Sequence, residues 1–214
     1  MRRPELLLGL LLLAIGCTPT IPENKLPVLG RTELVERIEN GQVFYDTLQH
    51  KVKNFAFLNQ DSVIVTNQTF VDKVYVTDFF FTTCPTICPK MKQQMLRVYD
   101  EYESNPEVAI LSHTIDPKHD TVAVLRDYAA RLGVSSDKWH FVTGDKDDIY
   151  EISESSYMVT AAEDANEPGG YIHSGAFLLV DKERRIRGVY DGTVPEQVDL
   201  LIKDIDRLLK ETQG

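Results

Sequence analysis

The run Lys73–Phe81 is dominated by β-branched and aromatic side chains, and a few residues further on the apolar period becomes that of a helix. From Pro89 to Ser104, the residues Met91, Met95, Val98, Tyr99 and Tyr102 share one helical face. A buried strand that feeds a helix commits the chain to a layered fold, because the helix must carry it back across the sheet. The same alternation then repeats. Val108–Ile115 reads as a strand, Thr121–Leu132 as a helix stopped by Gly133, and Trp139–Thr143 as a strand. Asp145–Ser155 reads as a short helix opened by an acidic cap. After a polar loop over Thr160–Gly170, Ala176–Val180 and Ile186–Tyr190 form a hairpin, and Val194–Leu209 is a closing amphipathic helix. Upstream, Asn40-Gly41 marks a hairpin turn between Leu34–Ile38 and Val43–Tyr45, with a short helix over 32–39 as the competing reading. Phe55–Leu58 and Ser62–Val65 make a second small strand pair. The expected fold is α/β, a mixed central sheet flanked by helices, with an N-terminal β extension.

The junction between the first buried strand and its helix carries the chemistry. Of the 3 cysteines, two lie here, in Cys84-Pro85-Thr86-Ile87-Cys88-Pro89. Two thiols four positions apart at such a turn either close a disulfide or hold a soft metal ion between thiolates. Pro89 suits a first helical turn, and a helix N-terminus stabilises a nearby anion, so Cys88 is expected to have the lowered pKa. A cysteine pair at this place makes a thioredoxin-like core the leading architecture.

Two features depart from a plain thioredoxin. Three residues, not two, separate the cysteines, and the stretch Gly169–Gly175 before the late hairpin has no proline next to the strand. It has His173 instead. An imidazole beside two thiolates gives a donor set that suits copper, thiolate favouring Cu(I) and imidazole accommodating Cu(II). Zinc asks for a fourth ligand, and none is evident. The plainer reading of a lone histidine is a structural or exposed one. His50, His113, His119 and His140 lack any motif and read as surface or packing residues; Met91 and Met95 read as core, not as thioether ligands. Asp116-Pro117 ends a strand near the expected site edge, as a turn former or as an outer group touching the site or a partner.

The first residues read as a targeting segment, not as part of the fold. Arg2 and Arg3 precede an apolar stretch, Leu6–Ile15, that is about half the length needed to span a bilayer. Gly16-Cys17 resembles the cleavage site of bacterial lipoproteins, in which the cysteine is lipid-modified. Residues 1–16 are thus expected to be a signal peptide, 17–30 a lipidated cysteine and flexible tether, and 31–214 the functional domain. Anchoring would leave the domain on the extracytoplasmic side of a bacterial membrane, where paired cysteines oxidise unless reduced or metal-bound. A net charge of −10 argues against nucleic acid as a partner.

The motifs in order are Cys84-Pro85-Thr86-Ile87-Cys88-Pro89, Ile115-Asp116-Pro117-Lys118-His119-Asp120-Thr121, Trp139-His140-Phe141-Val142-Thr143-Gly144, and His173-Ser174 leading a strand. Together they resemble the Sco/SenC family of copper-binding proteins. The resemblance implies a thioredoxin-like fold and copper, as Cu(I) or Cu(II), held by Cys84, Cys88 and His173. It also implies a partner: subunit II of cytochrome c oxidase, whose dinuclear CuA centre such a protein supplies with copper. Other periplasmic copper or thiol-redox proteins are further candidate partners. The alternative is a thiol–disulfide oxidoreductase that uses the Cys84/Cys88 redox pair to keep the oxidase cysteines reduced. A peroxidase on the same core lacks a peroxide-activating constellation.

Overall fold

Among the described residues, the seven strands of the main sheet and four α-helices follow the order that the apolar periods dictate, and two hairpins stand apart from them. The computed structural model describes residues 25–167 and 169–211, with His173 described by its backbone; the apolar stretch, Cys17 and the cleavage site lie outside the described residues. In chain order the elements begin with β1 (Thr32–Glu39), β2 (Gln42–Gln49), β3 (Ala56–Asn59) and β4 (Ile64–Thr66), followed by a 3-10 turn over Asn67–Phe70. Next come β5 (Val74–Phe80), α1 (Cys88–Tyr102), β6 (Val108–Thr114), α2 (Val122–Leu132), β7 (Trp139–Thr143) and α3 (Lys146–Ser155). The chain closes with β8 (Ala161–Glu163), β9 (Tyr171–His173), β10 (Ala176–Val180), β11 (Ile186–Asp191) and α4 (Pro195–Glu211).

The main sheet has seven strands in the order β11-β10-β5-β6-β7-β3-β4. The strands β5, β6 and β7 are parallel because α1 and α2 serve as crossovers, and β10, β11, β3 and β4 extend them antiparallel. All seven residues of β5 and all seven of β6 are buried, as expected of central strands covered on both faces. This is the mixed, helix-flanked sheet of a thioredoxin-like fold. Local chemistry fixes the helix ends. Thr121 Oγ1 accepts from the Val124 N–H, and Gly133, at φ 72°, ends α2 in the left-handed region. Asp145 caps α3 by accepting from the N–H groups of Asp147 and Asp148.

In α4 the stripe Val198, Leu201, Ile205 and Leu208 is fully buried. Asp204 lies on the same side without penalty, because it accepts from the Tyr190 hydroxyl at 2.9 Å and pairs with Arg207 at 2.8 Å. The segment expected to be a flexible tether is docked from residue 25 onward. Leu26 is buried, Leu29 N–H donates to Ile186 O at 2.8 Å, and the buried Arg187 guanidinium donates to Pro27 O at 3.0 Å.

One alternative left by the sequence is resolved, and one detail differs from the sequence reading. The hairpin wins over the competing helix at 32–39: eight cross-strand pairs link β1 to β2, and Asn40 and Gly41 both have positive φ, the turn geometry that Asn-Gly favours. The polar stretch from Thr160 to Gly170 is not wholly loop, since Ala161, Ala162 and Glu163 pair with His173, Ile172 and Tyr171. Strands of three residues carry too little alternation to register as a period.

Candidate functional site

Cys84 lies in the turn that leaves β5, and Cys88 is the first residue of α1. Cys84 N–H donates to Phe81 O at 3.2 Å, which folds the chain back toward the helix start. The residue capping α1 is Ile87, whose side chain has no oxygen to offer the helix N-terminus, and Pro89 occupies the first turn. The Cys84 sulfur fills that role. It accepts from the backbone N–H groups of Thr86 and Cys88, contacts the Thr86 hydroxyl at 3.6 Å, and interacts with the Cys88 thiol. Both cysteines are buried thiols, 8% and 6% exposed, so each sulfur reaches solvent only at its edge.

This arrangement reverses the expected order of the two acidities. Burial pushes the Cys84 thiol up, but the N–H groups of Thr86 and Cys88 and the neighbouring side chains outweigh it and hold Cys84 below the usual thiol range. Burial pushes the Cys88 thiol well up, and the nearby Cys84 and Asp78 add to that against one backbone hydrogen bond from Phe81. The helix N-terminus does favour an anion, as the sequence suggests, but it points at the sulfur of Cys84. Position in the helix is therefore a poorer guide than the direction of its free N–H groups.

His173 is the last residue of β9, paired across the small sheet with Ala161. The chain on either side of it is seated on the cysteine turn. Two residues before it, Tyr171 stacks obliquely on Phe81 with ring centroids 5.0 Å apart, and its hydroxyl bonds to Asp116. Two residues after it, a Cβ added to Gly175 would lie 3.7 Å from the Ile87 side chain. Gly169, with φ 88°, crosses closer still: a Cβ there would stand 2.9 Å from the Phe81 ring and 3.0 Å from Pro85. The backbone of the histidine strand and the Cys84–Cys88 turn thus share one edge of the molecule. Among the described residues, which exclude the His173 ring, no cluster of three metal-ligating side chains forms.

The other residues singled out by sequence separate cleanly. His113 is fully buried among Phe55, Phe57 and Phe79, and burial pushes it down to about 3. His140 is buried beside Phe70, and burial pushes it down to about 4. Both are neutral packing groups. His50 bonds Ser156 O at 2.7 Å, and Met91 and Met95 are core. Asp116 closes its turn by accepting from His119 N–H, as its turn-forming reading expects, and also bonds the Tyr171 hydroxyl.

Two acidic residues escaped sequence reasoning. Asp78 is buried in β5, accepts from the Ser112 hydroxyl, and is pushed up by burial to about 7. It lines the same small internal space as Cys88. Asp120 is fully buried just behind the turn. The available signal for Asp78 was a lone carboxylate inside an otherwise apolar strand; Asp120 was disguised as part of a polar turn.

The sequence profile of the SCO1/SenC family matches residues 45–210. A SCO1 protein homologue from Bacillus subtilis is 32% identical over 167 residues, covering 77% of this chain and 86% of its own. The structure of a SCO1/SenC family lipoprotein from Bacillus anthracis superposes with a TM-score of 0.68 at 27% identity, covering 74% of this chain and 95% of that one. BsSco, a member of the Sco family of cytochrome c oxidase assembly proteins with a disulfide switch, gives a TM-score of 0.66 at 30% identity, covering 75% and 94%. More distant Sco proteins with the same fold have been solved with copper bound.

Proposed function

Because this chain belongs to the SCO1/SenC family, we propose that it carries copper, bound by Cys84, Cys88 and His173, to the CuA site of cytochrome c oxidase while tethered to a membrane through Cys17. The observation that carries this reading is the seating of β9 on the cysteine turn through Tyr171, Gly169 and Gly175. Two sulfurs and an imidazole form a soft donor set that suits copper and lacks the fourth ligand of a structural zinc site. Copper here is cargo. Cys84, already held toward its thiolate by backbone N–H groups, needs little rearrangement to ligate a cation, whereas Cys88 must give up a tightly held proton as the metal arrives.

The tether reading rests on the Gly16-Cys17 site and on the lipoprotein relative from Bacillus anthracis. No helix among the described residues is long and apolar enough to cross a membrane. Deleting the gene and measuring oxidase activity, with and without added copper, tests delivery. The account predicts loss of activity and its recovery on copper supplementation. Recovery by a membrane-permeant thiol reductant, with none by copper, would contradict it.

One observation favours a second activity, thiol–disulfide exchange: the two cysteines differ in acidity in the sense that an attacking and a resolving thiol require. The Cys84 thiolate attacks a sulfur of a partner disulfide, and the partner's other sulfur leaves as a thiolate. Cys88 then attacks Cys84, which frees the second partner thiol and leaves Cys84 and Cys88 joined. Two electrons pass to the partner. In this reading Cys88→Ser traps a mixed disulfide and Cys84→Ser does not; the opposite pattern would assign the attack to Cys88.

A further inference from the structure

The Asp120 carboxylate is fully buried and accepts three hydrogen bonds from two different segments. One oxygen accepts from the Thr82 hydroxyl; the other accepts from the Thr82 backbone N–H at 3.0 Å and from the Thr114 hydroxyl at 2.5 Å. Thr114 Oγ1 in turn accepts from Asp116 N–H at 3.1 Å, and the next residue, Thr121, caps α2. The entry to the cysteine turn, the end of β6 and the start of α2 therefore meet on one side chain.

The sheet does not need this contact. Pairing of β5 with β6 is already fixed from Val74↔Val108 to Phe80↔Thr114, and Ile115 N–H donates to Phe80 O at 2.8 Å. What Asp120 adds lies beyond Phe80, at Thr82, past the end of β5 and two residues before Cys84. A buried carboxylate that loses a donor keeps its desolvation cost, so the network resists small displacements of Thr82.

We propose that Asp120 is a positioning residue for the cysteine pair: through Thr82 it holds the turn in the dithiol form, with the Cys84 sulfur presented to the N–H groups of Thr86 and Cys88. The proposal rests on reading the pair as copper ligands and redox thiols. A disulfide sulfur is a weaker acceptor than a thiol or thiolate sulfur, so oxidation forfeits what the Thr86 and Cys88 N–H groups supply, and loosening Thr82 removes a bias against it.

Metal-free, full-length protein equilibrated with reduced and oxidised glutathione tests this. The two chain thiols give two electrons and two protons to glutathione disulfide, yielding the Cys84–Cys88 disulfide and two molecules of glutathione. Thr82→Val removes one donor at nearly constant shape, and Asp120→Asn turns an acceptor into a donor that faces other donors. Both should shift the equilibrium toward the disulfide by about threefold or more, the worth of one hydrogen bond. Thr82→Ser, which restores the hydroxyl, should return it to the original value. If Thr82→Val lowers the melting temperature but leaves the glutathione equilibrium unchanged, Asp120 serves the fold alone and the proposal fails. Thr82→Val keeps the test decisive should Asp120→Asn not fold. Copper binding is measured separately on the unaltered chain, so absence of copper there would remove the metal reading while the glutathione result still decides the role of Asp120.

Discussion

Cys84 and Cys88 leave the middle of a seven-stranded sheet, whereas His173 arrives on a three-residue strand of a two-stranded one. The sulfurs are set by β5, α1 and the buried network behind them; the histidine strand is held to that frame by a few contacts from Tyr171, Gly169 and Gly175. The difference suits a carrier. Under the proposed function, a donor pair built into the core would stay ready for the metal, and a third donor on a lightly held arm would let it be gripped and released without unfolding anything.

The largest effects should come from the core half. Cys84→Ser or Cys88→Ser should weaken copper binding by more than about a hundredfold, beyond what loss of an outer contact costs, as read by competition with a Cu(I) chelator. Near-normal binding in either variant would mean the sulfurs do not act together. Amide exchange sharpens the contrast in mobility. Protons of β5 and β6 should exchange at least about a hundredfold more slowly than those of β8 and β9 in the metal-free protein, and equal protection would show the arm to be part of the core.

Stability should divide along the same line. Leu179→Ala, at a fully buried position of β10, should cost about 3 kcal/mol in urea unfolding. Ile172→Ala, on the exposed side of β9 at 38% exposure, should cost under about 0.5 kcal/mol.

The response of the core to acid should be smaller than the loss of the Leu179 side chain. His113 and His140 have folded pKa values lowered to about 3 and about 4, so their contribution is present above their unfolded value of 6.5 and is lost as pH falls below it. Asp78, raised from 3.8 to about 7, acts in the opposite sense: its contribution is present below 3.8 and is lost as pH rises through 7. Two groups against one predict a net loss of about 1.5 kcal/mol between pH 7 and pH 5, read from Trp139 fluorescence in urea. Asp78→Asn, which removes the opposing group, should steepen that loss, and His173→Ala should leave it alone. A shallower slope in Asp78→Asn would refute the assignment of Asp78.

The layered core was legible because Val74–Phe80 and the stripe of Met91, Met95, Val98 and Tyr102 have unmistakable periods, and because Thr121, Gly133 and Asp145 punctuate the helices. The cysteine pair was legible from spacing. Its acidity was not, since the direction of two backbone N–H groups depends on how the turn closes. The β8–β9 arm was hidden by its short strands, and the docking of residues 25–30 by the prolines that made them look like a linker. Asp78 and Asp120 show a further limit: a buried carboxylate is recognisable only once its donors, Ser112 or Thr82 and Thr114, are brought from distant parts of the chain.

Titration of the reduced chain with Cu(I) against a colorimetric chelator, beside the same titration of His173→Ala, tests the joint use of core and arm most directly. The account predicts about one copper per chain, from a single three-donor site, and an affinity lowered at least about tenfold in the variant. Equal affinity in the two proteins would take the histidine out of the site and leave the cysteines to bind copper alone.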